Sequence, residues 1–246
     1  MNPVEQFKKE VTENIAQQSS NAVLQKASFE FMKESGKSKY SYSFTWMGMP
    51  IIQYPQDIIA MQEIIWQIQP DLIIETGVAH GGSIVYYASL LELIGKDGIV
   101  VGIDIDIRKH NRELIETHPM FKRIKLIERS SISNETIKEV EQIVKTKNRI
   151  MVCLDSNHTH EHVLKELQLY SNFVTTGSYC VVFDTIIEDM PADYIWNRPW
   201  GKGNNPKTAV WEFLKTNDNF IIDKNIENKL LITVAPDGFL KRIKQK

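Results

Sequence analysis

From residue 71 onward, apolar and polar positions alternate in regular blocks. "DLIIET" (71–76) reads as a buried strand, and "SIVYYASLLELIG" (83–95) as a helix that closes at Gly95. "GIVVGIDID" (98–106) and "RKHNRELIETH" (108–118) repeat the strand-then-helix order. "KRIKLIE" (122–128) with a helix over 133–145, and "RIMVCLD" (149–155) with a helix from about 160 to 170, repeat it twice more. "YCVVFDT" (179–185) is a fifth strand. Near-continuous apolar strands separated by helices indicate a parallel sheet covered on both faces. In the last third, Asn205 caps a helix that starts at Pro206 and runs through "KTAVWEFLKT". "NFIID" (219–223) and "KLLITVAPDGFLKRI" (229–243) then read as a hairpin-like strand pair. The expected architecture is therefore α/β: a Rossmann-like, doubly wound, mostly parallel seven-stranded sheet with an antiparallel edge.

Residues 1–57 behave differently and are expected to form an N-terminal extension to the 58–246 domain. Two polar helices, 3–18 and 20–35, carry too few apolar residues for a core of their own, so they are expected to lie on the domain or to join a subunit interface, which favours a homo-oligomer. "KYSYSFTWMGMPIIQYPQD" (39–57) is aromatic and interrupted by proline, the look of a binding loop or of a packed connector.

Composition narrows the function classes. A net charge of −2 supplies no basic field for nucleic acid or an anionic membrane. No apolar run approaches the ~20 residues that span a bilayer, and the first 20 residues lack a signal-peptide core, so a cytoplasmic protein is expected. Cys153 and Cys180 fall inside strand-like runs and are expected to be free, buried thiols.

Ligands of such sheets bind outside the carboxyl ends of the strands. The first strand ends in "ETGVAHGGS" (75–83), whose Gly77, Gly81 and Gly82 permit close backbone approach. These glycines also fit a plain strand-to-helix turn. Their spacing is not that of a dinucleotide fingerprint, and Glu75 at the loop mouth would repel a pyrophosphate while suiting an amine or a sulfonium. Asp104, or Asp106 on the same face, can accept hydrogen bonds from ribose hydroxyls, with Asp104 preferred. Glu75, the glycines and Asp104 together match an S-adenosylmethionine site better than an NAD site. Asp155 and Asp184 end adjacent strands, ~4.8 Å apart in a parallel sheet. They can share a Mg²⁺ or Mn²⁺ ion, or each can cap the helix that follows it. His158 is placed to act as a general base. His160 and His162 read as exposed helix-start residues, because their spacing lacks a complete zinc set.

In series, "TWMGMPIIQYPQD", "DLIIETGVAHGGS", "GIDID", "LDSNHTHEHVLKEL", "YCVVFDT" and "APDGFL" resemble the cephalosporin hydroxylase and rhamnosyl O-methyltransferase family over about residues 40 to 243. The resemblance implies a Rossmann-like fold, S-adenosylmethionine, frequent use of Mg²⁺, and methylation of sugar hydroxyls or action on a β-lactam nucleus. Related macrolide-sugar O-methyltransferases carry an Asp-x-x-His motif supplying a metal ligand and the base, matched here by Asp155 and His158. Ser83 and Ser131 join Glu75, Gly77, Gly81, Asp104 and Asp155 in the cofactor set so implied. The family's fifth strand typically ends Glu-Asp, whereas this chain has Phe183 before Asp184, which implies a metal site that is weaker, completed by Glu188, Asp189 or water, or absent. A second departure, "NNPKTAV" where relatives usually carry Gly-Pro, keeps the proline start.

The function expected is S-adenosylmethionine-dependent O-methylation of a sugar hydroxyl, on a nucleotide-linked or glycan-bound sugar. Tyr42, Trp46, Tyr54 and Trp200, with the stretch 197–205, are candidates for the acceptor pocket and equally for packing. Rival readings are β-lactam modification and a non-catalytic protein that binds the cofactor or a nucleotide.

Overall fold

The computed structural model describes residues 2–194 and 198–244. Two helices open the chain, α1 (Pro3–Ser20) and α2 (Ala22–Lys37). Asn2 caps α1 by accepting from the Val4 amide, and Asn21 caps α2 through the amides of Val23 and Leu24. The aromatic stretch that follows is more ordered than its sequence suggests. It forms a hairpin, β1 (Phe44–Trp46) and β2 (Met49–Ile51), and then a helix, α3 (Pro55–Ile68). Met47 and Gly48 turn the hairpin with φ of 46° and 86°, the two-residue turn that suits twisted strands. Pro55 supplies a helical φ at the first position of α3, which runs through the expected 57–58 junction.

Four strand–helix units come next: β3 (Leu72–Thr76) with α4 (Gly82–Ile94), β4 (Ile99–Asp104) with α5 (Lys109–Thr117), β5 (Ile124–Glu128) with α6 (Asn134–Val144), and β6 (Ile150–Leu154) with α7 (His160–Tyr170). The chain then forms β7 (Tyr179–Val182), α8 (Pro206–Thr216), β8 (Phe220–Ile222), α9 (Lys224–Leu230) and β9 (Phe239–Arg242). The large sheet has seven strands in the order β5-β4-β3-β6-β7-β9-β8. β3 to β7 are parallel, and β9 runs antiparallel to both β7 and β8. This is the mostly parallel, doubly wound sheet with an antiparallel edge that the apolar pattern predicts. Among the described residues no helix is long and apolar enough to cross a membrane.

Alternation along the strands sorts the core. Ile73, Met151, Cys153, Val181 and Phe183 pack on one face with α3 and α4, while Leu72, Ile74, Val101, Val152 and Cys180 pack on the other with α6, α7 and α8. Both cysteines are free and buried. The hairpin lies directly on the start of α4: a Cβ at Gly82 would come within 2.1 Å of the Pro50 carbonyl oxygen. Met32 of α2 packs with Tyr54 and Met190 in a small separate cluster. α1 itself buries no residue.

The expected strand over 229–243 is reduced to β9. α9 runs to Leu230, Leu231 turns the chain with φ of 61°, and pairing begins only at Phe239. Asp57 of α3 explains the gap. Wholly buried, it accepts from the Thr233 hydroxyl and, at 3.0 Å, from the Val234 amide, while the Val234 carbonyl accepts from the Ile186 amide, so the backbone at 234 bonds outside any ladder.

Burial lifts the Asp57 carboxyl to about 7, against roughly 3.9 for a free side chain. A folded-state value above the unfolded one means that its stabilising contribution is whole below about pH 4 and is lost as the pH rises toward 7. Asp57→Asn should flatten the decline of the urea midpoint over that window. An unchanged slope would remove Asp57 as its source.

Candidate active site

β3 and β6 are neighbours, yet the chain leaves them in opposite directions, toward β4 and toward β7. A crevice opens at such a switch point, beyond the carboxyl ends of the strands. Here it is a cleft of about 460 Å³, with Gly77, Ala79, Asp104, Ser131, Asp155 and Trp200 on its walls. Gly77 takes φ of 91°, and a Cβ there would sit 2.0 Å from the Asp155 carbonyl oxygen. The Asp155 amide donates to the Thr76 carbonyl at 2.9 Å. The first loop is thus pressed onto the end of β6.

Asp104 faces the cleft, whereas Asp106 is exposed. One Asp104 oxygen accepts from the amides of Val78 (2.8 Å) and Ala79 (3.2 Å), and the other from Asp106 (3.2 Å). Gly81 starts α4 with φ of 85°. Glu75 is not at the mouth of the loop. It lies wholly buried beneath it, one oxygen accepting from the Ser83 hydroxyl at 2.6 Å, and burial raises its carboxyl to about 8.

Asp155, His158 and Asp184 come together, each offering one ligand atom, all within 4.8 Å of one another. The His158 Nε2 lies 3.1 Å from an Asp184 oxygen. Neither aspartate caps a helix: Thr159 occupies the N-cap of α7, and Asp184 makes no capping bond to the short turn after it. Asp184 instead holds a left-handed φ of 57°, a strained position of the kind found at functional sites. Burial pushes the Asp155 carboxyl well above the usual range, and the charges that add to the push are other carboxylates: Asp184, Glu75, Glu166 and Asp57. Glu188 and Asp189, the expected substitutes for the missing carboxylate, are engaged elsewhere. Glu188 accepts from the Gly203 amide and the Asn205 side chain, and Asp189 from Lys207 at 2.6 Å. Phe183 is core, 1% exposed, and the third ligand atom beside the aspartates belongs to His158.

The other histidines are not plain exposed helix starts. His160 joins α7 to α8 through Thr208 (2.8 Å) and Glu212 (3.2 Å). His162 lines the cleft, 3.2 Å from the Ser131 hydroxyl and 3.3 Å from the buried Glu166. The i,i+4 spacing of His162 and Glu166 was the available signal.

Of the acceptor candidates, only Trp200 reaches the cleft, edge-on to His158 with ring centroids 4.9 Å apart. Trp46 packs on Tyr86 and donates to the Ser89 hydroxyl at 3.0 Å. Tyr54 is buried against α2, its hydroxyl 2.8 Å from that of Ser35. Tyr42 is exposed and off the cleft wall. Asn197, the first residue of the expected acceptor stretch, lies outside the described residues.

Residues 38–243 match the family described as Rhamnosyl O-methyltransferase/CmcI. The chain belongs to this family. A rhamnosyl O-methyltransferase of Mycobacterium tuberculosis (strain H37Rv) is 33% identical over 204 residues, covering 80% of this chain and 78% of the relative. Its counterpart in Mycobacterium leprae is 30% identical over 202 residues, covering 80% and 82%. Among solved structures, CmcI with SAH superposes with a TM-score of 0.58 at 20% identity, covering 82% of this chain and 83% of that one. CmcI with Mg-SAM gives 0.57 at 19% identity, covering 82% and 78%. CmcI therefore shares the overall fold, and the crevice between β3 and β6 is the place to test. Gly77→Ala should lower the melting temperature, by the equivalent of more than about 1 kcal/mol, since it combines a positive φ with a backbone clash. An unchanged melting temperature would show that the loop does not need its contact with Asp155.

Proposed function

We propose that the protein transfers a methyl group from S-adenosylmethionine to the hydroxyl of a sugar, rhamnose-like as in the named relatives and carried on a nucleotide or a glycan. The observation that carries this reading is the meeting of Asp155, His158 and Asp184 at the end of a cleft walled by Gly77, Asp104 and Ser131.

The residues present fit both cofactors. The cleft has room for a nucleoside, with a carboxylate at Asp104 for its ribose and glycine backbone at Gly77. Glu75, Gly81, Ser83 and Asp155 complete the set for S-adenosylmethionine. Asp155 and Asp184 supply hard oxygen donors for Mg²⁺ or Mn²⁺, and Asp155 sits among carboxylates whose mutual repulsion a cation relieves. When bound, S-adenosylmethionine supplies an electrophilic methyl group, and a divalent ion lowers the pKa of a coordinated hydroxyl.

The chain's own part is to orient the acceptor and take its proton. Asp184 holds the His158 ring through the 3.1 Å contact at Nε2, which fixes the imidazole for proton removal. Trp200 stands over the same ring and offers an aromatic surface to a sugar. One oxygen-rich carboxylate pair with a single imidazole is not the 2-His-1-carboxylate set of an oxygen-activating iron site, so the β-lactam oxidation reading gains no support.

A second reading has one observation behind it. The close grouping of all three ligand atoms lets His158 stand in for the carboxylate that Phe183 displaces, as a metal ligand. One variant separates the two. With His158 as base, His158→Ala should lose roughly a hundredfold or more in methyl-transfer rate while keeping its calorimetric affinity for Mn²⁺ and for S-adenosylhomocysteine. Loss of Mn²⁺ affinity as well would make it a ligand. Unchanged turnover would remove it from the mechanism, and binding of NAD in place of S-adenosylhomocysteine would overturn the methyltransferase reading itself.

A further inference from the structure

Asp184 and Trp200 touch the same imidazole, and the chain joins them a second time behind it. The His158 Nε2 lies 3.1 Å from an Asp184 oxygen, and the Trp200 ring stands edge-on to His158 with centroids 4.9 Å apart. The second connection runs through Glu188. One of its oxygens accepts from the Gly203 amide at 2.7 Å and from the Asn205 side-chain amide at 2.5 Å. Glu188 ends the single helical turn Thr185–Glu188 that follows Asp184, while Gly203 and Asn205 end the loop that carries Trp200.

Both pieces are firm in themselves. Asn205 is wholly buried; it also donates to the Gly201 carbonyl at 2.8 Å, and its oxygen accepts from the Lys207 and Thr208 amides at the start of α8. Every hydrogen-bonding position of that side chain is in use. Asn204 donates to the Pro199 carbonyl at 2.8 Å and accepts from the His160 amide at 2.9 Å. The residues on either side of Trp200 are thus pinned by their carbonyls. The turn after Asp184 has partners of its own: the Thr185 hydroxyl donates to the Pro236 carbonyl at 2.6 Å, and the Ile186 amide to the Val234 carbonyl at 3.1 Å. Glu188 ties the one piece to the other, with two bonds of the strong, charge-assisted kind on a single oxygen.

We infer that Glu188 is a positioning residue, which holds the Trp200 loop against the Asp184 turn and so fixes the width of the acceptor site around His158. This rests on the methyltransferase reading above, and it gives Glu188 a part in acceptor binding and none in ligating the ion. Without the carboxylate, the turn keeps its bonds to Val234 and Pro236, so Asp184 stays in place. The loop loses the acceptor of two N–H groups, and Trp200 moves off the imidazole.

The test reads the contact between Trp200 and His158 directly. The full chain, labelled at its six histidines, is followed by NMR without ligand, and the His158 ring signal is assigned by its loss in His158→Ala. An indole displaces the resonance of an imidazole beside it, so Trp200→Ala gives the position for a lost contact. Glu188→Ala should carry the His158 signal most of the way to that position and leave the signal of His118, which bonds to the Met47 carbonyl, where it was. Glu188→Gln should restore it, because an amide oxygen accepts the same two N–H groups. By calorimetry, Glu188→Ala should bind Mn²⁺ and S-adenosylhomocysteine as the wild type does. Its KM for methyl α-L-rhamnoside should rise by about tenfold with kcat less affected, the split expected where binding is loosened and the reacting groups are not. The inference is overturned by a His158 signal that Glu188→Ala does not move, by an equal shift of His118, by failure of Glu188→Gln to restore the signal, or by a loss of Mn²⁺ affinity that makes Glu188 a ligand. A wild type that binds no S-adenosylhomocysteine, or does not methylate the rhamnoside, overturns the function proposed above; the histidine signal still decides whether Glu188 holds the loop.

Discussion

The contact between Gly77 and the backbone of Asp155 governs the rest of the molecule's chemistry. With no side chain at 77, the loop after β3 closes onto the end of β6, and what each strand carries past its end is brought to one place. β6 delivers Asp155 and then His158, and β7, hydrogen-bonded to β6, delivers Asp184, while Glu75 stays within β3 beneath them. The sheet order fixes which acids meet, and the glycine fixes how closely. Any bulkier loop would leave the same residues in the sequence without making a site of them.

That closeness has an electrostatic cost which the fold leaves standing. Asp155 is pushed toward its neutral form by burial and by its acidic neighbours together, and Glu75 and Asp57 are raised by burial. A protein core built only for stability would replace such groups with apolar ones or pair them with lysine or arginine. Lys207, for one, is paired with Asp189. In the function proposed, the acids at the cleft, Asp155 and Asp184, would meet a positive partner from solution.

The sheet was legible because its signal is local: strand-long apolar runs punctuated by helices of matching amphipathicity fix order and face. Strand-end acids were legible for the same reason, since each lies one position past an apolar run, and Asp155, His158 and Asp184 do converge. What the sequence hid depends on distant partners. Nothing near Thr233 signals that Asp57, far back in the chain, will claim its backbone and stop a strand from forming. Trp46 and Tyr54 have the look of sugar-binding aromatics, and only their partners show Trp46 tying the hairpin to Ser89 of α4 and Tyr54 tying α2 through Ser35. Glu75 is placed correctly along the chain but not in depth, because one alternation of a strand decides between mouth and floor. Phe183 signals a lost ligand by its identity, while the nearness of His158 to Asp184 needs coordinates.

Asp104 is bonded to the amides of Val78 and Ala79. The carboxylate proposed for a ribose is therefore also the internal brace of the loop over which the nucleoside would lie. A loop braced in advance has little conformational freedom left to surrender when a ligand docks. Association at this end of the cleft then resembles the seating of a part on a finished surface, and its heat-capacity change should reflect the ligand's own buried area, without the larger contribution of a segment that folds as it binds.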